Sequence, residues 1–197
     1  MNTSTNRHRA QKDKVILEPF REAHITEEYI AWLNNKRLMQ YSELSRRTHT
    51  RQSCVDYLRS FDGSSSYFWA ILRADTNKHI GTLSSYVLDG PKAADMSLLI
   101  GDDGARGCGF GREAWGMAMD LLFMTKGMYR ITAGTVSGNQ PMERIFLHFG
   151  MTLEGVLRRH QFFNGERLDV LLYGMLRDEW LSRSSGGASM HDSEKIL

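Results

Sequence analysis

The sequence predicts an α/β (α+β) domain in which a mixed, mostly antiparallel central sheet of about seven strands carries helices on both faces. Three strand-like runs, Tyr67 to Ala74, His79 to Leu88 and Asp95 to Ile100, follow one another across turn-rich Asp75-Thr76-Asn77-Lys78 and Asp89-Gly90-Pro91, the pattern of an antiparallel meander. A helix-period segment then runs from Phe110 to Thr125, with Ala114, Met117, Ala118, Leu121 and Leu122 on one face, before a strand pattern resumes from Tyr129 to Val136. A crossover of that length joins parallel neighbours. Two last strand-like runs, Met151 to His160 and Leu168 to Leu176, flank Asn164-Gly165 as a closing hairpin.

The elements before and between these follow from local signals. Val15 to Phe20 reads as a short strand. Thr26 is placed to cap a helix, with Ile25 and Ile30 as a hydrophobic staple and Tyr29, Trp32 and Leu33 on its inner face. Thr50 caps a second helix whose Cys54, Leu58 and Phe61 recur at helical spacing, and polar Tyr41 to Thr48 forms the loop between the two. Pro141 suits a first helical turn, Met142, Ile145, Phe146 and Phe149 share one face, and Gly150 closes that helix.

At 197 residues the chain fits one domain, since domains run from about 50 to 250 residues. Polar residues 1–13 and 184–197 are expected to be flexible ends around a single domain at 14–183. Hydrophobic residues at 41% and charged residues at 24% exclude disordered and fibrous classes. A formal charge of +2, with the basic residues scattered, gives no nucleic-acid footprint. No stretch has membrane-spanning length, and the start lacks the apolar core of a secretory signal. Two distant cysteines, Cys54 and Cys108, imply neither a disulfide framework nor a metal site and suit a reducing cytoplasm.

The segment Arg106-Gly107-Cys108-Gly109-Phe110-Gly111 sits between the third meander strand and the long helix. Glycines at alternate positions strip the loop of Cβ atoms, so backbone N–H groups can turn onto an anion at the positive end of the helix dipole. A nucleotide P-loop needs Gly-Lys-Ser/Thr, and here Gly111 is followed by Arg112-Glu113. A dinucleotide turn needs a third glycine one place later and an acid near the end of the next strand, which instead ends Thr135-Val136-Ser137-Gly138-Asn139. Cys108 has no base near it in sequence to make it a nucleophile.

The loop matches the Arg/Gln-x-x-Gly-x-Gly/Ala motif of the GNAT superfamily of acyl-CoA-dependent N-acetyltransferases, and the order of elements from Val15 to Trp180 resembles that family. Asn139 ahead of Phe149-Gly150-Met151 is similar to its Asn...Gly-Phe pattern. The tail Leu153-Glu154-Gly155-Val156-Leu157-Arg158, with Asn164-Gly165 and Asp169, looks most like the branch of ribosomal-protein alanine, spermidine and amino-sugar N-acetyltransferases.

The resemblance implies a GNAT-like fold and acetyl-CoA as co-substrate, with no metal. It assigns the pyrophosphate to backbone N–H groups of Gly107, Cys108, Gly109, Phe110 and Gly111, with charge from Arg106 and Arg112, the pantetheine arm to Leu99 and Ile100, and the cofactor's middle to Asn139. Asn139 is equally suited to capping the next helix. An aliphatic amine of pKa near 10 is neutral in only about one molecule in a thousand at pH 7, so a proton acceptor is useful. Asp95 is the candidate base, with Ser97 two residues on along the same face to pass the proton or bind substrate. The family's usual tyrosine acid falls at Phe146, which has no proton to give; Tyr173, His148, His160 and Tyr41 are possible replacements, as is water.

The acceptor should meet the loop between the first two helices, where Tyr41, Glu43 and Arg46 are the candidate binding residues. Its basic, hydroxyl-bearing character suits a nucleotide-linked amino sugar, ahead of a protein N-terminus or a polyamine. A CoA-binding homologue without catalysis is the alternative that Phe146 favours. The expected partners are a small-molecule amine or peptide N-terminus and a second copy of the chain at the closing hairpin, with neither nucleic acid nor membrane.

Overall fold

The computed structural model describes residues 10–163 and 165–186; Asn164 of the expected hairpin turn, and residues 1–9 and 187–197 of the expected flexible ends, lie outside the described residues. Eight strands form one sheet: β1 (Ala10–Gln11), β2 (Val15–Pro19), β3 (Tyr67–Arg73), β4 (His79–Leu88), β5 (Ala93–Ile100), β6 (Arg130–Val136), β7 (Thr152–Phe163) and β8 (Glu166–Leu176), in the order β1-β2-β3-β4-β5-β6-β8-β7. All neighbours are antiparallel except β5 and β6, which run parallel as the long crossover requires.

The strand beyond the expected seven is β1, which pairs with Leu17 and Ile16 inside the stretch read from composition as flexible. Backbone pairing needs no apolar alternation, so Ala10-Gln11 carry no strand signal. At the other end the helix α5 (Arg177–Gly186) runs past the expected boundary at residue 183. Strand β7 reaches Phe163 rather than stopping at His160, because its register shifts between Leu157 and Gln161. Arg159 there takes a left-handed φ of 53°, and the three exposed residues 158–160 break the alternation that marks a strand.

Two helices cover one face of the sheet. Thr26 Oγ1 accepts a hydrogen bond from the Tyr29 N–H at the start of α1 (Glu27–Asn34), and Thr50 Oγ1 accepts one from the Ser53 N–H at the start of α2 (Arg51–Arg59). These caps satisfy N–H groups that lack intrahelical partners. Tyr29, Trp32, Leu33, Cys54, Val55 and Leu58 then pack on Ile16, Phe68, Ala70 and Leu72.

The other face is covered by α3 (Phe110–Asp120) and α4 (Gln140–His148). Ala114, Trp115, Ala118 and Phe146 pack with Leu17, Trp69, Ile71, Met96, Ile131 and Tyr173. The opposite destinations of Ile16 and Leu17, and of Ile71 and Leu72, are the period of two expected of a sheet buried on both sides. The expected helix through Thr125 changes at Leu121–Thr125 to a π-helical turn, in which the Lys126 N–H donates to the Leu121 carbonyl at 3.0 Å and consecutive Leu122 and Phe123 are both fully buried. At its other end, α3 is tied to the sheet by Glu113, whose Oε1 accepts from the N–H groups of Lys14 at 2.7 Å and Val15 at 3.2 Å.

What positions the site is a divergence in the middle of the sheet. β5 stays paired with β4 from Ala93 to Ile100, but meets β6 only at Ala93↔Arg130, Ala94↔Ile131 and Asp95↔Thr132. From Met96 onward, among the described residues, no ladder joins the two strands. The β6-facing backbone edge of β5 therefore opens into a cleft, and its N–H and C=O groups are available to a ligand.

Candidate active site

The cleft has a volume of about 1510 Å³ and runs from the glycine loop, past the open edge of β5, to the turn after α1. At the loop end, Gly107 and Gly109 have φ of +75° and +88°, the left-handed region that only glycine enters freely. Gly109 is the N-cap of α3, so the loop's amides gather at the positive end of that helix. A Cβ on Gly111 would come within 3.1 Å of Leu98 Cδ2 and 3.2 Å of Ile100 Cγ1, so glycine lets α3 approach the open strand.

Arg106, Arg112, Arg144 and His148 line this half of the cleft, and Arg106 is paired with Asp103. Burial and the charges of Arg112 and Arg183 hold the His148 imidazole below its ordinary pKa, so it is neutral at pH 7. Asn139 also lines the cleft, with Nδ2 donating to Thr135 Oγ1 at 2.9 Å. Although Asn139 precedes α4, its side chain makes no capping bond there, which removes helix capping as its task.

The other half is walled by Tyr29, Tyr57 and Phe68, floored by Thr82, Ser84 and Ser97, and edged by Asn35 and residues 37–42. Arg37 sits in a turn in which Asn35 Oδ1 accepts from the N–H groups of Arg37 and Leu38, both at 3.1 Å. Among the described lining residues the sole carboxylate is Asp103, at the far end of the cleft. Among the described residues the acceptor half therefore has hydroxyls and a cation, and no anion.

Residues 14–152 match the acetyltransferase (GNAT) domain family. The chain belongs to the GNAT family. In the same comparisons it is 30% identical over 110 residues to the uncharacterized N-acetyltransferase YoaA of Bacillus subtilis, an alignment covering 55% of this chain and 62% of that protein, so the chain spans about three fifths of that relative's length. Its fold is that of the spermidine N-acetyltransferase from Vibrio cholerae, solved with CoA and spermine (TM-score 0.76, 18% identity, 85% of this chain and 98% of the other). It is equally similar to the ribosomal-protein-S5-alanine acetyltransferase from Vibrio fischeri (TM-score 0.75, 18% identity, 88% and 98%).

Within this GNAT domain, Ser97, Leu99, Ile100, Arg106, Gly107, Cys108, Gly109, Gly111, Arg112, Asn139 and Tyr41 all line the cleft. Phe110 does not: its side chain is buried in the core with the Arg73 guanidinium 5.0 Å over its ring, which leaves only its backbone for the cradle. Arg46 is also off the cleft, because its Nη2 donates to the Phe162 carbonyl at 3.0 Å and ties the acceptor loop to β7. The Glu43 side chain lies outside the described residues.

Asp95 lies one cross-strand row beyond the lining. It stands opposite Tyr86, as Ser97 stands opposite Ser84, and its Oδ2 accepts from Thr132 Oγ1 at 2.9 Å. Burial raises its pKa, and the Thr132 bond works against that rise. Asp95 thus does not line the cleft.

Phe146 is fully buried between Trp115 and Tyr173, whose rings are centred 5.4 and 4.8 Å away. Of the four replacement acids, Tyr173 and His160 are off the cleft, while Tyr41 and His148 line it. Sequence reasoning missed Arg37, Tyr57, Ser84 and Arg144. The strand alternation of β4 could have put Ser84 beside Ser97; nothing in the sequence aims the α2 residue Tyr57 at them.

Proposed function

We propose that this GNAT domain is an acetyl-CoA-dependent N-acetyltransferase that moves an acetyl group to a primary amine by direct attack, with a nucleotide-linked amino sugar as acceptor. The observation that carries this reading is the divergence of β5 from β6, with the glycine cradle at one end and at the other a hydroxyl-lined chamber without a carboxylate among its described lining residues. The residues present fit the donor. Amides of residues 107–111 with Arg106 and Arg112 would hold its diphosphate, Arg144 adds charge, Asn139 offers an amide to its middle, and the open edge of β5 offers strand-like bonds to its arm.

Acetyl-CoA supplies the activated acyl group. A β5 amide in the open stretch, near Leu98 or Leu99, would donate to the carbonyl oxygen as charge develops there, an interaction strongest in the transition state. With Phe146 walled into the core, Tyr41 or a water is left to protonate the leaving thiolate, because burial and the neighbouring arginines disfavour the imidazolium form that His148 would need; the thiol's ordinary pKa of about 8.5 makes its departure tolerable. Asp95 lies outside the lining, so its carboxylate aids removal of the amine's proton without meeting the amine.

The acceptor class rests on charge. A polyamine needs carboxylates for its several ammonium groups, and the chamber has none among its described lining residues, whereas Arg37 suits a phosphate and the hydroxyls a sugar. The protein-N-terminus reading is retained because a neutral peptide also fits hydroxyl walls. Two free cysteines, Cys54 and Cys108, suit cytoplasmic work.

The test is release of CoA from acetyl-CoA with UDP-glucosamine, an alanine-terminated peptide and spermidine. Turnover with UDP-glucosamine is expected. Preference for spermidine would overturn the acceptor, and tight CoA binding with no turnover in a broader amine panel would favour the non-catalytic reading.

A further inference from the structure

The hydroxyl groups of the chamber floor are paired with one another and with hydroxyls beyond it. Ser97 Oγ on β5 lies 2.7 Å from Ser84 Oγ on β4, its cross-strand partner. Tyr57 Oη, reaching down from α2, lies 2.6 Å from Tyr86 Oη on β4, and the nearby Ser84 hydroxyl favours the ionised form of the Tyr57 phenol. In both measured pairs either oxygen can be the donor. Ser97, Ser84 and Tyr57 line the cleft; Tyr86 does not, and it is 42% exposed at the rim.

From this arrangement we infer that Ser97, Ser84, Tyr57 and Tyr86 form a proton relay that carries the acceptor amine's proton from the cleft to bulk water at the rim. The inference rests on the N-acetyltransferase reading of the same cleft. Each hydroxyl passes its own proton forward as it takes one from behind. The net change is an ammonium that becomes a neutral amine and a water that becomes hydronium, with every relay group restored. The amine's lone pair is then free to form the bond to the acetyl carbon.

The surroundings favour shuttling over ionisation. Burial raises the Tyr57 phenol, the bond to Tyr86 adds to the rise, and Ser84 pulls it down. The titratable groups nearest the relay are Tyr29 on α1, Cys54 on α2 and Asp95 on β5, and burial also raises the Tyr29 phenol and the Cys54 thiol. Asp95, in the Tyr86 row, is the one carboxyl group among them, and in its ionised form its charge favours movement of a proton toward the rim. This places a carboxylate where the family resemblance expects one while explaining why it need not touch the amine. Phenylalanine at either tyrosine keeps the packing: the Tyr57 ring meets Phe61 at 5.3 Å and Phe68 at 5.1 Å, and the Tyr86 ring stacks on Phe61 at 5.5 Å.

The test is the pH profile of kcat/KM for Tyr57→Phe and Tyr86→Phe, using the best acceptor among UDP-glucosamine, the alanine-terminated peptide and spermidine. Thermal unfolding and CoA affinity are measured alongside. At pH 7 an amine of pKa near 10 is neutral in about one molecule in a thousand and one of pKa near 8 in about one in ten, so loss of the relay should lower kcat/KM by about 10²–10³-fold for the former and about tenfold for the latter. That deficit should shrink as the pH climbs toward the amine's own pKa, where no proton has to be removed. A deficit that stays constant with pH makes the tyrosine pair a packing device and overturns the relay alone. Wild-type activity retained by both variants at pH 7 also overturns it. No transfer by the unaltered protein to any of the three probes removes the acetyltransferase reading and the relay with it; CoA binding in the same samples shows which half of that reading failed.

Discussion

Substituting Gly109 by alanine isolates the backbone of the donor cradle from its sterics. Gly109 has φ +88° and ψ −4°, and the atom nearest to an added Cβ is Arg112 Nη2 at 4.0 Å, so the methyl group has room. What remains is the conformational cost of a left-handed residue with a Cβ, about 1–2 kcal/mol. If the loop holds its shape in the free protein, that cost falls on stability. If the loop relaxes, it falls on ligand affinity as a roughly 5–30-fold weaker Kd. The sum of the two losses is the predicted quantity. Urea unfolding reads the first and calorimetric titration with CoA the second. Gly90→Ala is the control, since Gly90 has open space around its Cβ position and no positive φ. Gly109→Ala behaving like the control in both assays would refute the cradle as the reason for glycine at this position.

Arg37→Ala should raise KM for an anionic acceptor by about tenfold or more, the worth of a charge-assisted hydrogen bond, with the Kd for CoA unchanged; a weaker CoA complex with an unaltered acceptor KM would put Arg37 in the wrong half of the cleft. Burial, followed by the nearby His24, holds the His79 pKa down at about 4, below its ordinary 6.5. The unfolded chain therefore binds more protons between those values, and stability must fall as pH drops from 6.5 toward 4, by up to about 3 kcal/mol. Urea unfolding at pH 7 and pH 4.5 checks this, and His79→Gln should flatten the difference. Glu113→Ala leaves the Val15 N–H buried and unpaired and should cost about 1–3 kcal/mol; an unchanged unfolding midpoint would show that water replaces the carboxylate.

Most of the fold was legible because it is carried by patterns that burial imposes. Ile16 and Leu17 face opposite cores, Thr26 and Thr50 cap as their side chains dictate, and the crossover from β5 to β6 leaves one parallel solution. What escaped notice has no local cause. Ala10-Gln11 become a strand because β2 offers an edge, and Arg158 to His160 break the alternation of β7 through a register shift. The donor half of the cleft was readable because a contiguous loop builds it. The acceptor half joins α1, α2, β4 and β5, and its shared chamber exists only after packing, so Tyr57 and Arg37 gave no signal. Arg46 was misplaced for the same reason, a charged loop residue that found a carbonyl on β7, while Phe110 turns its side chain into the core and keeps only its backbone N–H for the cradle.

Hydrogen–deuterium exchange with and without CoA tests most directly whether the divergence of β5 from β6 is the donor site. Amides in the open stretch of β5, residues 97–100, and in the loop, residues 107–111, should become protected together on binding, while the paired stretch Ala93–Asp95 changes little. Protection elsewhere on the surface, with those two segments exchanging as before, would contradict it.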